Sequence, residues 1–585
     1  MASLEEKRHT LAHLLASAVL ERYPHAKATI GPAIDTGFYY DFDFSGGEAP
    51  GEAELATLQS AMEEMLPSWT AMSGTEVSEK DARDRFKDNL YKLEIIDGIV
   101  AAGDPITLYT ADNFTDLCKG GHAEHPAHDL KVGTFELERI AGAYWRGDEK
   151  NPMLTRIYGR AFETKEELEA YRAQQEEAKK RDHKKLGKEL DLFVFSETVG
   201  KGLPLFTPKG ATIRRELERF IVDEEIKRGY LHVYTPDIAK IDLYKKSGHY
   251  PHYKDSMYAP IVIDEDEFML RPMTCPHHFE LYLRKPVSYR ELPMRIAELA
   301  QLYRYEQSGE LSGLQRVRTF CLADAHIVTA SEEQAIEEVE AALALIEHVA
   351  GTFGLIQGED YWYRLSLGDR ADTEKYYQND AAWEKGESLL REMLEKRGKH
   401  FVEAKGEAAF YGPKVDIQMK NVNGKEDTAF TVQYDFCMPE RFDLTYVAQD
   451  GSHTRAFVVH RSSIGAIERI MAFLIEKYGG AFPTWLSPTQ VRVLPVSEKH
   501  AAYAQEVCAS LASVGIRAEH DSANESLGKK IRNAKGEKIP YMLVVGDAEI
   551  EAGTVSVESR DEGKLDAMKV GEFAERVSKE IAERR

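Results

Sequence analysis

The sequence predicts a multidomain α+β protein, and three observations lead to this fold class. The chain has 585 residues, which is far more than a single hydrophobic core usually organises. Residues 295–327 have the pattern of two antiparallel strands joined by a long glycine-bearing loop. Residues 485–585 alternate strand and helix patterns separated by turn residues. Together these patterns favour about three or four domains of mixed structure.

The composition is typical of a folded protein without secretory or membrane signals. Hydrophobic residues make up 43% of the chain and charged residues 30%. No apolar run reaches the roughly 18 residues that span a bilayer, and the N-terminus lacks the apolar stretch of a signal peptide. Five scattered cysteines argue against a disulfide framework and indicate a reducing compartment. We therefore expect a cytoplasmic protein with no membrane partner.

The net charge of −24 restricts how a nucleic acid could bind. A polyanion needs local positive surface, because neutralisation of phosphates provides much of the binding free energy. The basic run Lys179–Lys185 is a candidate for such a surface. The simpler interpretation of this run is a solvated helix face.

Patterns along the chain predict four segments. Residues 1–163 alternate short helical and extended patterns, and residues 164–190 are rich in Glu, Lys, Ala and Gln, which predicts one long exposed helix. Residues 191–484 form the largest domain, and residues 485–585 form a compact α/β domain. The elements expected in this last domain are Val491–Val496 (strand), His500–Val514 (helix), Ile516–His520 (strand), Ile539–Val545 (strand) and Val570–Glu583 (helix).

The strand pair of the largest domain places charged residues on one face. The period of two predicts that Arg316, Arg318, Asp324 and His326 share a face of the second strand, with Arg304 near the end of the first. Guanidinium groups on rigid strands suit a nucleotide triphosphate, since arginine binds phosphate in a bidentate manner. An isolated hairpin of this kind would more simply be an edge hairpin with solvated arginines.

Two further motifs accompany this hairpin. The spacing of apolar residues predicts an amphipathic helix over Lys209–Gly229, followed by a strand that ends at Pro236. The apolar strand Ala456–Val459 leads through His460–Arg469 into a helix that stops at the glycine pair after it. The order of the three motifs resembles the signature motifs of class II aminoacyl-tRNA synthetases. This resemblance implies a catalytic core built on an antiparallel sheet.

Four local strings narrow the resemblance to one family. Bacterial threonyl-tRNA synthetases have similar strings at the positions of Arg271–His278 (RPMTCPHH), Arg316–Ile327 (RVRTFCLADAHI), Ala409–Lys414 (AFYGPK) and Val458–Arg469 (VVHRSSIGAIER). The similarity extends from Arg8 to Glu580 and implies a threonine–tRNA ligase. The implied partners are ATP, L-threonine and tRNA(Thr), with Mg²⁺ accompanying ATP. A homodimer is also implied.

The resemblance further implies one catalytic Zn²⁺ per chain, held by Cys275, His326 and His460. One Cys and two His leave a coordination position open, as in catalytic zinc sites, although ligands so far apart in sequence are by themselves more simply polar core residues. Zinc would allow the enzyme to distinguish threonine from valine. Valine is nearly isosteric with threonine, and a site that requires the hydroxyl can reject its absence by roughly 10⁴-fold.

Roles of other residues in this domain are implied in the same way. Arg304, Arg316 and Arg469 would bind ATP phosphates and stabilise charge during adenylate formation. The remaining positions would contact the nucleotide, the amino acid or the tRNA end, and they are Glu306, Met273, Asp324, Tyr411, Lys414, Gln433 and His249. The chain departs from the family pattern at Leu322, Thr428 and Ala466, where glutamine, glutamine and serine are usual.

An N-terminal hydrolytic site is also implied. Zinc does not exclude serine, which differs from threonine by a methyl group worth about 1–3 kcal/mol. A second selection step, hydrolysis of the mischarged seryl-tRNA, is therefore expected. The strings at 30–43 and 142–159 resemble the editing domain shared with alanyl-tRNA synthetases. Its site would comprise His9, His13, Cys118, His122, Tyr40, Lys92 and Asp116. Spacing alone predicts a zinc tetrad for the first four, whereas the family implies a metal-free site; we expect the latter. The small domain that often precedes the editing domain is expected to be absent.

The C-terminal domain resembles the anticodon-binding domain of class IIa synthetases. Asn524, Arg532 and Glu549 match positions that contact anticodon bases, and polar side chains suit unpaired RNA bases. Glu558 stands where arginine is common. An ordinary charged surface is the simpler interpretation of these residues.

Two alternatives remain at this point. The chain could be a prolyl-, seryl-, histidyl- or glycyl-tRNA synthetase, against which the Cys275, His326 and His460 set and the editing residues argue. It could also be a synthetase-like RNA-binding regulator, but such proteins commonly lose catalytic residues, and the candidate ones are all present here.

Overall fold

The computed structural model describes residues 2–585, and the chain divides into two compact units between Glu176 and Glu177. The division falls inside the segment 164–190, for which the sequence predicts one long helix. That prediction is wrong in one respect, because two helices occupy the segment, Lys165–Arg181 and His183–Glu189. Asp182 separates them: its side chain accepts hydrogen bonds from the backbone amides of Lys184 and Lys185 and thereby caps the second helix.

The first unit contains two antiparallel sheets and a central N-terminal helix. Its larger sheet has the strand order Lys27–Ala28, Gly37–Asp43, Met153–Ala161 and Phe135–Tyr144, with Ala33–Ile34 pairing to Gly37–Asp43. The smaller sheet has the order Ser73–Glu76, Thr107–Ala111 and Phe114–Leu117. The α-helices are Leu4–Arg22, Leu55–Met65, Glu79–Arg85, Leu90–Ala102 and Pro126–Asp129.

The helix Leu4–Arg22 begins with a capping box in which Ser3 and Glu6 bind each other's backbone amides. Its residues 10–19 are all buried, and the leucines among them pack on Phe38 and Phe42 of the larger sheet. Because residues i and i+4 share a helix face, burial of this helix carries His13 inward and leaves His9 at the edge of the same face.

The second unit is built on an eight-stranded sheet. Its strand order is Leu231–His232, Met294–Tyr303, Thr319–Thr329, Phe457–Ala466, Glu426–Asp435, Lys414–Lys420, Tyr361–Leu367 and Phe401–Lys405. The pairs at the two ends of this order are parallel, and those between them are antiparallel. The helices that accompany the sheet are Pro208–Lys227, Ile241–Ser247, His249–His252, Cys275–Tyr282, Glu332–Thr352, Asp380–Lys396, Met438–Arg441 and Ile467–Tyr478.

Smaller elements complete this part of the unit. They are the three-stranded sheet Ile238–Lys240, Asp266–Leu270 and Ile261–Ile263 and the strand pairs Phe193–Phe195 with Pro204–Phe206 and Thr445–Val447 with His453–Arg455. The predicted antiparallel core is thus confirmed. The helix predicted over 209–229 is also confirmed, and its apolar residues Ile213, Leu217 and Phe220 are buried. The strand expected to run to Pro236 is only two residues long, Leu231–His232.

The end of the second unit is an α/β arrangement. Its strands have the order Ala518–His520, Val491–Pro495, Tyr541–Val545, Thr554–Ser559 and Gly563–Lys564, with Met568–Lys569 pairing to Thr554–Ser559. Its helices are Ala501–Ser513, Leu527–Gly536, Asp547–Ala552 and Val570–Ala582. The five predicted elements are present within a few residues of their predicted ends, whereas the helices at 527–536 and 547–552 and the strand at 554–559 were not predicted.

No helix in residues 2–585 combines the length and the apolar character needed to cross a membrane.

Candidate functional sites

The central hairpin and the strand beside it bring two histidines together. The strands Thr319–Thr329 and Phe457–Ala466 are antiparallel neighbours, and their register places His326 directly opposite His460. Side chains that are directly opposite on one face of a sheet have Cβ atoms only about 5 Å apart. Cys275 reaches the same place from the first turn of the helix Cys275–Tyr282.

Cys275, His326 and His460 form a buried cluster that fits a metal ion. One ligand atom from each, a sulfur and two ring nitrogens, lies within 4.8 Å of the other two. The side chains of the three residues are almost completely shielded from solvent. Burial raises the pKa of the Cys275 thiol and lowers the pKa of His326, so the imidazole is neutral. A neutral imidazole and a sulfur donor are the ligands that zinc prefers.

A carboxylate orients His460 directly. The Nε2 atom of His460 lies 2.6 Å from the Oδ2 atom of Asp435, which is fully buried. A carboxylate accepts hydrogen bonds, so Nε2 carries the proton and the lone pair of Nδ1 remains for a metal. This arrangement is the common carboxylate–histidine–metal geometry.

A second carboxylate orients His326 through another histidine. The Nε2 atom of His278 is 3.2 Å from Oε2 of Glu298, and the two Nδ1 atoms of His278 and His326 are 2.8 Å apart. Glu298 can only accept, so His278 donates to it from Nε2 and accepts from His326 at Nδ1. The lone pair of His326 is thereby left on Nε2, facing the cluster.

Glu298 is held as a carboxylate by its surroundings. Burial opposes its charge, but hydrogen bonds from His278 and Thr235 and the positive charge of Arg271 outweigh this, and its pKa is lowered to about 2. Because the charged Glu298 can only accept hydrogen bonds, it sets the direction of both hydrogen bonds behind His326.

Substitution of Glu298 tests this relay. In Glu298→Gln an amide replaces the carboxylate, and the direction of the two hydrogen bonds behind His326 is no longer fixed. We expect the affinity for zinc to fall by about 10- to 100-fold. Competition with a chromophoric chelator measures this affinity. The control is Glu338→Gln, a buried glutamate of the same core that pairs with Arg295, for which zinc affinity should be unchanged. Equal zinc affinity in Glu298→Gln and the native chain would contradict the relay.

The cluster of Cys275, His326 and His460 opens into a cavity of about 290 Å³. Most residues for which the sequence implied a role lie in its wall: Met273, Arg304, Glu306, Arg316, Asp324, Tyr411, Gln433 and Arg469, together with the three candidate ligands. The residues that depart from the family pattern, Leu322, Thr428 and Ala466, line it as well. The cavity therefore has the cysteine and two histidines at one end, together with a set of arginines.

The arginines are held in different ways. Burial lowers the pKa of both Arg304 and Arg469, and the Nε atom of Arg469 donates to the carbonyl of Gln315 at 3.0 Å. The Nε atom of Arg316 lies 3.1 Å from Oε2 of Glu306. The desolvated guanidinium groups of Arg304 and Arg469 are suited to the oxygens of a polyphosphate, because a charged ligand would restore the interactions that burial removes. Arg316 is exposed and adds a third positive charge to the cavity wall.

Three sequence-based placements differ from the structure. Arg316 and Arg318 precede the strand, which begins at Thr319, and Arg318 directs its guanidinium to the carbonyls of Glu306 and Lys201 instead of the cavity. Lys414 forms an ion pair with Asp416 and does not line the cavity.

His249 also lies outside the cavity wall. It is fully buried, with its Nδ1 atom 2.7 Å from the Ser247 hydroxyl and its Nε2 atom 3.8 Å from the sulfur of Cys275. Its position behind a candidate metal ligand was not foreseen from the sequence.

The first unit holds a second cluster. One ligand atom from each of His9, His13, Cys118 and His122 lies within 4.8 Å of the others. The sulfur of Cys118 is 3.2 Å from Nε2 of His122 and 3.5 Å from Nε2 of His9. Burial lowers the pKa of His13 to about 3 and that of His122 to about 2, so both rings are neutral near pH 7.

A buried charged group adjoins this second cluster. Asp116 accepts a hydrogen bond from the hydroxyl of Tyr40, its Oδ1 atom is 2.5 Å from Nζ of Lys92, and its Oδ2 atom is 3.5 Å from Nδ1 of His13. Burial opposes the charge of Asp116, but the charge of Lys92 overcomes this and its pKa is lowered. Neutral imidazoles next to a Lys–Asp pair can position a water molecule through their ring nitrogens.

The residues predicted to contact anticodon bases lie in the C-terminal part of the second unit. Asn524 and Arg532 are exposed, the latter on the helix Leu527–Gly536. The carboxylate of Glu549 already has partners within its own domain. It accepts hydrogen bonds from the backbone amide of Gly546 and from the hydroxyl of Ser556.

Comparison with protein families gives two matches. Residues 258–478 match the tRNA synthetase class II core domain (G, H, P, S and T), and residues 490–580 match an anticodon binding domain.

Individual proteins are similar over nearly the whole chain. The chain is 48% identical over 583 residues to "Threonine--tRNA ligase" of Anoxybacillus flavithermus, covering 99% of this chain and 89% of that protein. It is 48% identical over 573 residues to the enzyme of the same name from Staphylococcus aureus strain JH9, covering 98% and 87%.

Solved structures of threonyl-tRNA synthetases are also similar to this chain. The RNA binding domain of threonyl-tRNA synthetase from Cryptosporidium parvum superposes with a TM-score of 0.64 and 35% identity, covering 68% of this chain and 98% of that one. A putative threonyl-tRNA synthetase from Aeropyrum pernix gives a TM-score of 0.60 at 29% identity, covering 69% and 96%.

Proposed function

Because the chain belongs to the threonine–tRNA ligase family, it is an aminoacyl-tRNA synthetase, and we propose that it selects threonine through a zinc ion bound by Cys275, His326 and His460. The observation that carries this proposal is the approach of the three ligand atoms to within 4.8 Å at one end of the arginine-lined cavity. Zinc content measured together with threonine-dependent ATP–pyrophosphate exchange tests it.

The donor set fits zinc and the proposed selectivity. When bound, zinc would supply a Lewis acid that accepts both the amino and the hydroxyl group of one amino acid. Valine offers only its amino group and would lack the contact that the hydroxyl of threonine makes with zinc. Asp324, which lines the same cavity, would accept a hydrogen bond from the substrate amino or hydroxyl group.

We infer that the arginines of the cavity bind ATP. Arg304, Arg316 and Arg469 would hold its phosphates, with Mg²⁺, while the carboxylate of threonine attacks the α-phosphorus and pyrophosphate leaves. Glu306 would contact the adenine end. Gln433, hydrogen-bonded to the hydroxyl of Tyr411, would contact the nucleotide or the 3′ end of the tRNA.

We propose that residues 1–163 form an editing domain that hydrolyses seryl-tRNA(Thr). Water would add to the ester carbonyl and release serine and free tRNA. The neutral rings of His13 and His122 would orient this water, and Lys92 would stabilise the negative charge that develops on the carbonyl oxygen. The cluster could also hold zinc by its geometry, so two zinc ions per chain would contradict the metal-free reaction that we propose.

Substitution of His13 tests the editing assignment. In His13→Ala the ring beside Asp116 is removed, and hydrolysis of seryl-tRNA(Thr) is expected to slow by about 100-fold or more. Threonine activation should be unchanged. Deacylation of preformed seryl-tRNA(Thr) measures the effect, and His128→Ala, which removes an exposed histidine of the same unit, is the control. If His13→Ala accumulates no more seryl-tRNA(Thr) than the native chain, the assignment is incorrect.

We propose two further properties, anticodon binding by residues 485–585 and a homodimer. Exposed Asn524 and Arg532 support the first, since polar side chains can bind unpaired bases. Exposed apolar side chains support the homodimer. The residues concerned follow the helix Pro208–Lys227 or belong to the three-stranded sheet, and they are Leu231 (56% exposed), Tyr234 (95%), Val262 (69%) and Ile263 (49%).

A further inference from the structure

The basic run Lys179–Lys185 contains one residue that points inward. Lys184 and Lys185 are exposed, as expected for a solvated helix face, but His183 is only 2% exposed. A histidine within a charged helix is usually solvated as well, so its burial requires partners in the core.

His183 bridges two elements of the catalytic core. Its Nδ1 atom lies 2.7 Å from Oε1 of Glu476, on the helix that follows the third motif. Its Nε2 atom receives a hydrogen bond from the backbone amide of Leu314 at 3.1 Å. Because an amide N–H can only donate, Nε2 carries the lone pair, and the proton on Nδ1 is donated to Glu476. Glu476 also accepts from the amide of Val422 at 3.2 Å, so its own position is fixed.

The peptide that His183 holds belongs to the loop between the strands Met294–Tyr303 and Thr319–Thr329, for which we propose a role in binding ATP. Leu314, Gln315 and Arg316 line the arginine-rich cavity. The carbonyl of the next residue, Gln315, accepts the hydrogen bond from Arg469 at 3.0 Å. The end of the loop is therefore held at two neighbouring residues, by His183 through the amide of Leu314 and by Arg469 through the carbonyl of Gln315.

The fit between the loop and the imidazole is close. Gly313 has a φ of +49°, and a Cβ atom added to it would lie 2.1 Å from Nε2 of His183. A side chain at this position would displace either the ring or the loop.

We propose that His183 is a positioning residue for ATP, which fixes the backbone at Leu314 and thereby holds the guanidinium of Arg316 in place for the phosphates. Glu476 sets the tautomer that makes this possible. The inference rests on the proposed role of the loop in binding ATP. A preorganised phosphate-binding loop binds more tightly, since less conformational freedom is lost on binding.

Two substitutions of His183 test the proposal. In His183→Leu the acceptor is lost, and in His183→Gln the side chain keeps an acceptor at a similar distance from the backbone. For the loss of one hydrogen bond we expect the KM for ATP in ATP–pyrophosphate exchange to rise by about three- to tenfold in His183→Leu. The KM for threonine should be unchanged, and His183→Gln should recover most of the ATP affinity.

The readout separates positioning from stability. Titration of active sites corrects for unfolded protein, and a purely structural role would lower the active fraction without raising the KM for ATP alone. The control is Lys188→Ala, an exposed lysine of the same helix, which should behave as the native chain. An unchanged KM for ATP in folded His183→Leu, or an equal rise in KM for ATP and for threonine, would overturn the proposal.

A double-mutant cycle keeps the proposal testable if His183→Leu does not fold. Gly313→Ala in the native background places a methyl group against the imidazole and should raise the KM for ATP. The same change in His183→Ala meets no ring and should cost less, although the strain of the positive φ is common to both. Strict additivity of the two changes would overturn the proposal. Failure of the proposed function would be distinguished by the native chain itself. Its ATP–pyrophosphate exchange would then not depend on threonine.

Discussion

Replacement of Cys275 by serine is expected to remove zinc from the chain and to reduce threonine activation by about 10³-fold or more. A serine hydroxyl stays protonated and is a poor zinc ligand, so only two imidazoles would remain. The contacts of zinc with the amino and the hydroxyl group of threonine would be lost together, and the second of these is the contact that valine cannot make. Elemental analysis of the purified variant and its rate of threonine-dependent ATP–pyrophosphate exchange measure the two effects.

Cys321→Ser is the matched control for this variant. Cys321 is buried in the same hairpin as His326 but lies outside the ligand set, and we expect one zinc per chain and undiminished exchange. Cys275→Ser protein that is folded, retains its zinc and activates threonine would contradict the proposed site.

Substitution of Arg304 is expected to have the second largest effect. Arg304→Ala removes a desolvated cation from the cavity, and adenylate formation should slow by about 10²- to 10³-fold, because charge that develops in the transition state is no longer stabilised. Arg304→Lys keeps the charge but loses the planar, bidentate geometry, so its rate of adenylate formation should lie between those of Arg304→Ala and the native chain. Single-turnover formation of threonyl-adenylate measures this directly.

The zinc content separates this effect from damage to the metal site. Arg304→Ala should retain one zinc per chain, unlike Cys275→Ser. Arg290→Ala, an exposed arginine of the same unit, serves as the control for general loss of positive charge. A normal rate in Arg304→Ala would exclude Arg304 from the phosphate site.

Much of the fold could be predicted from local patterns. The helix Pro208–Lys227 and the central hairpin were predictable because their apolar periodicity matches the side that is buried. The break at Asp182 was missed, since composition favoured a helix throughout while the cap depends on one side-chain conformation. The strand before Pro236 is short because it pairs in parallel with Met294–Tyr303 at only two positions, a tertiary contact that a local pattern does not encode.

The site was predictable to a different extent. The family resemblance supplied Cys275, His326 and His460, but their proximity depends on strand register, which one sequence does not reveal. Period-two reasoning failed for Arg318 because the strand begins after it, so its side chain is free to turn towards loop carbonyls.

The supporting residues carried almost no local signal. His278 is the last residue of the string RPMTCPHH, but nothing in that string indicates a contact with His326. Glu298 and Asp435 lie on strands, where a buried carboxylate contradicts the expected apolar pattern and can be recognised only once its partners are known. His183 lies in a run of charged residues that predicts a solvated helix face, and its role can be recognised only from its contact with Glu476.

The amino-acid dependence of ATP–pyrophosphate exchange, measured on native protein of known zinc content, tests the central claim most directly. With one zinc per chain, we expect threonine to exceed valine in kcat/KM by roughly 10⁴-fold, since valine cannot supply the hydroxyl. A zinc-free protein that still activates threonine, or one that activates valine at a comparable rate, would contradict the account.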